Sequence, residues 1–239
     1  MAYDLDANGT GCALAVAVVL VPMDRAADVL PMGFEPRDAS GLVGADVGAG
    51  RAAVLLDAVR CEDFDLSEGS YDVGEVSILV EAPDVPGERA QADADYYRFA
   101  VHTTDPELVA TFEQAGWNVV PGRSRLEITG AADRPLLGQA TVQANGRLAF
   151  EMSIRAAATT PYQGLHRFWH ASTEGTGHLD VTFDAEAVAG QASCTIASAS
   201  SAALVTGFSS CPADTPGVLV QAGGWEGRFF HYPGVRPGA

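Results

Sequence analysis

Apolar and polar side chains alternate most clearly in residues 96–125. Tyr97, Phe99 and Val101 alternate with Tyr96, Arg98 and His102, the period-2 signature of a half-buried strand. Leu108, Val109 and Phe112 then fall at helical spacing. Thr104 is placed to cap that helix, with Asp105, Pro106 and Glu107 in its first positions. Acidic side chains suit the positive end of the helix dipole there, and Pro needs no hydrogen-bond partner. Gly116 fits the helix stop, and Trp117, Asn118, Val119 and Val120 form the return.

The rest of the chain reads mainly as strand. Residues 1–11 look like a loose start, 13–21 a buried strand, and 23–30 a short helix closed by Pro31. Residues 41–50 are Gly-rich and turn-like. Strands follow at 52–63, where Asp57 interrupts an apolar run, and at 74–82, with a hairpin loop at 83–93. Beyond the central stretch, strands are expected at 125–130, 139–143 and 147–155, with Asn145 and Gly146 as a tight turn between the last two. In 165–172, His166, Phe168 and His170 share one strand face, and Arg167 and Trp169 the other. Residues 177–185 and 191–198 read as strands, and 217–232 as a strand pair. Many short strands with two or three short helices predict a β-rich α+β fold, an antiparallel barrel-like or sandwich domain over residues 1–239.

Composition narrows the function classes. All 14 basic residues are arginine against 31 acidic ones, giving a net charge of −17. That excess disfavours nucleic acid and anionic membrane as partners, since both attract a positive surface. It reads as solubility or salt adaptation. No apolar run reaches the length of a membrane span, and no basic region precedes the run at 12–21. The cytoplasm is therefore the expected location. Cys12, Cys61, Cys194 and Cys211 show no CxxC spacing and are expected to be reduced core residues, with no metal among them.

Several chemistries are absent as motifs. There is no G-x-S-x-G elbow. The run GADVGAGR has neither the GxGxxG order nor the lysine of a phosphate loop. His166 and His170 lack the glutamate of HExxH and lie on strand, so they read as an aromatic-rich strand rather than zinc ligands.

Residues 96–120 resemble the core motif of the acetoacetate decarboxylase superfamily. In that motif a strand leads to a helix carrying Gly-Arg-Glu, followed by an aromatic residue, a proline and two lysines. Overlaid without gaps, Glu113 falls on the motif glutamate, Gly116 and Trp117 on the small and aromatic residues, and Asn118 on the proline. Phe112 falls on the arginine, and Val119 and Val120 on the two lysines. The run VPMDRAADVLPMGFEP resembles the entry segment of the same family, and Cys12 stands where a second arginine is expected.

The resemblance implies a cavity lined by Trp117, Asn118, Val119 and Val120. It also implies a glutamate from the strand at 52–63, which falls on Ala58 without a gap and on Asp57 with a one-residue slip that reverses the face. A second glutamate enters the strand at 74–82. Counting from Tyr71 puts Val73 there, and counting from the apolar register puts Glu75 there. The family reaction runs through a lysine imine, and this chain contains no lysine.

The expected function is therefore a decarboxylase-like enzyme without a Schiff base. It would act on a small keto acid or polyketide-like compound by enolisation, aldol-type closure, dehydration or cyclisation. Glu75, His102 and His170 are the candidate acids and bases. Asp57, Arg98, Trp117, Asn118, Val119, Val120, His166 and Trp169 are the candidate binding residues. No metal or cofactor is called for, and the resemblance implies a homo-oligomer. A non-catalytic binding protein using the same cavity is the alternative, and a structural protein with a filled cavity is a third reading. Incubation with acetoacetate and borohydride should leave internal peptides without an adduct. A mass increase on one of them would show a covalent route that this composition excludes.

Overall fold

The computed structural model describes residues 5–65, 70–85, 91–130, 135–157, 160–171 and 175–233. The chain runs β1 (Leu5–Pro22), α1 (Met23–Val29), α2 (Ser40–Val43), α3 (Ala45–Gly48), β2 (Arg51–Cys61), β3 (Asp63–Phe64), β4 (Tyr71–Val80) and β5 (Ala94–Thr103). It continues through α4 (Pro106–Gln114), β6 (Val119–Pro121), β7 (Ser124–Thr129), β8 (Leu136–Ala144), β9 (Arg147–Ala156), β10 (Thr160–Ala171), β11 (Gly175–Ile196), α5 (Ser201–Thr206) and β12 (Pro216–Pro233). The fold is strand-rich, as the alternating pattern predicts, and its helices are short.

All the strands join one mixed, 12-stranded sheet in the order β10-β5-β4-β2-β1-β12-β11-β9-β8-β7, with β3 and β6 added at the side. Strand β10 pairs with both β5 and β11, so seven strands close on themselves. Most neighbours are antiparallel, but β5 runs parallel to β10 and to β6. The sheet then leaves the ring through β9, β8 and β7, and this wing folds back so that β7 touches β1, β2 and β4.

Each ring strand therefore has two buried faces. Inward residues such as Val16, Leu55, Val73 and Tyr96 form one cluster around the lumen. Outward residues such as Val19, Leu56 and Ile78 form a second cluster under the wing, with Phe150, Met152 and Ile154 of β9. Gly74 marks how closely the wing approaches, because a Cβ there would lie 2.4 Å from a methyl of Val142.

Several local readings change. Strand β1 starts at Leu5, within the expected loose segment, because β12 pairs with it from Phe229 back to Gly217. The turn-like stretch at 41–50 holds α2 and α3, too short to show a helical period. Helix α5, capped by Ser200, had no sequence signal of its own. The cap of α4 is Asp105 rather than Thr104, since its carboxylate accepts from the backbone N–H groups of Glu107 and Leu108. The two strands expected at 177–185 and 191–198 are one, β11. Residues 1–4 of the expected loose start and part of the loop at 83–93 lie outside the described residues.

The cysteines are also corrected: Cys12 pairs with Cys61, and Cys194 with Cys211. The strands explain the pairing. Ala13 lies opposite Arg60 in the β1–β2 ladder, so Cys12 and Cys61 fall opposite each other one step further on. Cys211 hydrogen-bonds through its backbone to Cys194. Distances along the chain carry no trace of this register, so the expectation of four reduced cysteines, which followed from the missing export signal, is replaced by two disulfides. No helix among the described residues is long and apolar enough to cross a membrane.

Mass analysis without reductant should find both pairs. On the loop-closure estimate, removing Cys12–Cys61 should cost about 4 kcal/mol and Cys194–Cys211 about 3 kcal/mol. Four alkylatable thiols in native protein would contradict the pairing.

Candidate active site

The lumen holds a cavity of about 230 Å³ lined by residues from all seven ring strands. Its walls are aliphatic and aromatic, among them Leu14, Val16, Leu179 and Phe168. Leu42 of α2, partly exposed, lies at its edge. Into this apolar space the strands place Asp57, Glu75, Arg98 and His166, with Tyr71, Tyr96 and Tyr162.

Strand register brings the charged groups together. Asp57 on β2 lies directly opposite Glu75 on β4. On β5, Arg98 pairs with Ser77 and Ala100 with Val76, so Phe99 is an extra residue in that strand. This bulge reverses the inward–outward alternation. Tyr96 and Arg98 face the lumen before it, and Val101 faces it afterwards. His102, which shares the parity of Arg98 in the sequence, is turned to the other side. It is fully buried there, its Nε2 lies 3.2 Å from the Ser201 hydroxyl, and its Nδ1 has no hydrogen-bond partner among the described residues.

Arg98 is the centre of the constellation. Its Nη2 donates to Glu75 at 2.8 Å, and both side chains are at most 4% exposed. The guanidinium lies between two rings, 4.3 Å from the centroid of Trp117 and 4.1 Å from that of Phe168. Aromatic faces suit a weakly hydrated planar cation. Among the described residues its buried Nε and Nη1 have no hydrogen-bond partner, nor has Oδ1 of Asp57. A buried guanidinium with unused donors is costly unless something accepts from them.

The remaining candidates stand behind this group or away from it. Helix α4 packs Phe112 against Trp117, with rings stacked at 4.7 Å, and Gly116 makes the turn between them at φ 86°. The Trp117 indole N–H donates to His170 Nδ1 at 2.7 Å, so His170 holds the ring that lies on Arg98. Asn118 donates from its side chain to the Phe99 carbonyl at 2.9 Å, which ties down the bulge. Val119 packs on the lumen-side cluster and Val120 on the opposite one, and neither lines the cavity. Trp169 faces away from the lumen, where its indole N–H donates to Asp95 at 2.7 Å. His166 lines the cavity and is hydrogen-bonded through Nε2 to the Tyr162 hydroxyl.

Desolvation sets the proton affinities. Burial, then the neighbouring Glu75, pushes the Asp57 carboxyl well above the usual range, with Arg98 opposing. Burial raises Glu75 as well, and Arg98 pulls it partly back. Burial lowers His102 and His166 to about 4, which leaves both neutral at pH 7. The cavity thus holds one carboxyl favoured as the neutral acid beside one paired with a cation.

No family profile and no curated protein sequence matches the chain. Solved structures do. An acetoacetate decarboxylase-like enzyme from Sphingomonas wittichii RW1 superposes with a TM-score of 0.59 at 13% identity, over 95% of this chain and 91% of the other. A structure of acetoacetate decarboxylase gives 0.60 at 11% identity, over 98% and 90%. The enduracididine biosynthesis enzyme MppR gives 0.58 at 13% identity, over 98% and 87%. The chain has the acetoacetate decarboxylase-like fold. In this fold the positions that the sequence overlay assigns to the two lysines belong to β6, beside β5.

Tyr71, Tyr96, Tyr162 and Phe168 also line the cavity and are not among the site residues the sequence singles out. Tyr96 shared the parity of Arg98, which was the available signal. Tyr162 lay before the expected start of its strand.

The buried groups predict the pH dependence of stability. Asp57 binds its proton more tightly folded than unfolded, so its contribution is fully present below about pH 4 and is lost as pH rises through the folded pKa. Asp57→Asn should therefore raise the melting temperature at pH 8 relative to wild type, with a much smaller change at pH 4. His102 works in the opposite sense. Its contribution is present above 6.5 and lost as pH falls towards about 4. An Asp57→Asn melting profile parallel to wild type across this range would mean that Asp57 is solvated.

Proposed function

We propose that this protein is an enzyme that binds a small carbonyl-containing carboxylate in the lumen and moves a proton on it without forming an imine. The observation that carries this reading is the trio Asp57, Glu75 and Arg98 in an otherwise apolar cavity. Arg98 supplies the anchor, because its unpartnered Nε and Nη1 are donors suited to a carboxylate. Asp57, favoured as the neutral acid, is a proton donor for a carbonyl oxygen. Glu75 is the acceptor for a proton on the adjacent carbon. Burial favours the protonated form of both carboxyls, more strongly for Asp57 than for Glu75, which is ion-paired with Arg98, and a difference of this kind separates acid from base in such a pair.

The elementary step is enolisation. Glu75 takes the proton from carbon as the C–H bond breaks, the carbonyl π electrons move to oxygen, and the Asp57 O–H protonates that oxygen. The product is a neutral enol, a protonated Glu75 and an ionised Asp57. Return of the protons by the reverse route resets the pair. Aldol-type closure, dehydration and cyclisation all start from such an enol. MppR has been captured with pyruvate and with the condensation product of pyruvate and imidazole 4-carboxaldehyde. These complexes support a short keto acid as the substrate class here. His102 and His170 enter this reading as positioning groups, His170 through Trp117 and His102 through the far side of β5.

Exchange of α-protons for deuterium from solvent, followed by NMR on a panel of short keto acids, tests the proposal. Wild-type protein should catalyse exchange, and Glu75→Gln should slow it by roughly 100-fold or more while remaining folded. Full exchange in Glu75→Gln would remove that residue from the chemistry. Ligand-induced melting shifts with no exchange by the wild type would instead establish a binding protein.

A further inference from the structure

A second polar group lies in the same cavity, and the proposed chemistry does not use it. Tyr162, Gly164 and His166 are on β10 at alternate positions, so all three share the inward face. Their order explains a contact that neighbouring positions on a strand would ordinarily not allow. The Tyr162 side chain lies back along its own strand, across Gly164, and its hydroxyl reaches His166 Nε2. A Cβ on Gly164 would sit 2.4 Å from that hydroxyl oxygen. Glycine is therefore needed here for space rather than for an unusual backbone angle.

The pair is enclosed by rings. His166 has Tyr96 at 5.5 Å, Phe183 at 5.4 Å and Phe168 at 6.5 Å between centroids. Asp93 is the nearby carboxylate, and it accepts from the backbone N–H of Leu165. A neutral imidazole can donate from Nε2 to the phenol oxygen, which leaves the phenol hydrogen available to a third group. A tyrosine hydroxyl carries one donor and two acceptor positions, so it can serve both neighbours at once, and each bond polarises the next. Phe168 connects this pair to Arg98, since its ring is 4.1 Å from the guanidinium. Successive inward positions on a strand are about 7 Å apart.

We propose that Tyr162, positioned by His166 across Gly164, hydrogen-bonds a second oxygen of the ligand, so that the site is selective for a carboxylate that also bears a carbonyl or hydroxyl oxygen away from its carboxyl group. This rests on the reading of Arg98 as the carboxylate anchor. The volume sets the size. A cavity of about 150 Å³ takes benzene, so about 230 Å³ takes a ligand of about nine heavy atoms. 5-Oxohexanoate has that size and carries a ketone away from its carboxyl group, and hexanoate lacks only the oxygen.

Calorimetric titration of both compounds tests the assignment. Wild-type protein should bind 5-oxohexanoate about threefold to tenfold more tightly than hexanoate, the range expected for one neutral hydrogen bond. Tyr162→Phe and Gly164→Ala should each abolish the difference, and circular dichroism and melting like those of wild type show that the variants are folded. Arg98→Met should weaken both ligands together. Equal binding of the two by wild type, or a preference that persists in Tyr162→Phe and Gly164→Ala, would overturn the role of Tyr162 while leaving the carboxylate anchor intact. Failure of both compounds to bind wild type would overturn the anchor, and this inference with it.

Discussion

A guanidinium taken out of water dictates much of this architecture. Removing an ion from solvent costs several kcal/mol, and a fold can hold one only by surrounding it with compensating contacts. For Arg98 those contacts come from three separate parts of the chain. Glu75 supplies the counter-charge, and Trp117 and Phe168 supply the two ring faces. Arg98 points inward by the ordinary alternation of β5, which the Phe99 bulge reverses only beyond it. Each contact has its own support: α4 and His170 for Trp117, Asn118 for the bulge, and the β5–β10 pairing for Phe168. The segment between β5 and β6 thus serves as a brace for one cation. In this chain it carries no amine of its own.

The same bulge separates what the sequence reveals from what it conceals. Strand-rich character, helices α1 and α4 and the common face of His166 and Phe168 on β10 follow from periodicity, which depends only on neighbouring residues. Placing Arg98 and His102 on one face follows from the same rule, and it fails because one additional residue in β5 resets the count. Nothing in the composition around Phe99 announces that residue; the register of β4 decides it. Glu75 could be placed by the apolar rhythm of β4. Asp57 could not, because the family overlay favoured Ala58, whereas the pairing of β2 with β4 puts Asp57 opposite Glu75. The disulfides were hidden for a similar reason, since partners in neighbouring strands can be 49 residues apart along the chain. The overlay of residues 96–120 led towards the correct fold. It pointed to β6 for the site, while the polar groups gather on the adjoining ring strands.

The acidic surface and the dry interior make different electrostatic demands. Outside, an excess of carboxylates is well hydrated and raises solubility. Inside, two more carboxyl groups sit beside a single cation, so the lumen cannot comfortably hold both ionised. The interior pair is therefore expected to share its protons as a unit. An anionic ligand entering next to Arg98 would shift that sharing further towards the protonated side.

Closure of the ring also constrains when the site can exist. Strand β1 is the first described element and β12 the last, and they lie side by side from Leu5↔Phe229 to Ala17↔Gly217. Strand β10, which completes the circuit at β5, comes more than half-way along the chain. Contacts this distant in sequence form slowly, because the entropy of closing the intervening loops comes before any gain from pairing. During synthesis Asp57, Glu75 and Arg98 are all present long before they are enclosed. They are ordinary hydrated side chains until β10, β11 and β12 dock. The unusual proton affinities are thus a late product of folding, conferred by strands that contribute none of the three charged groups.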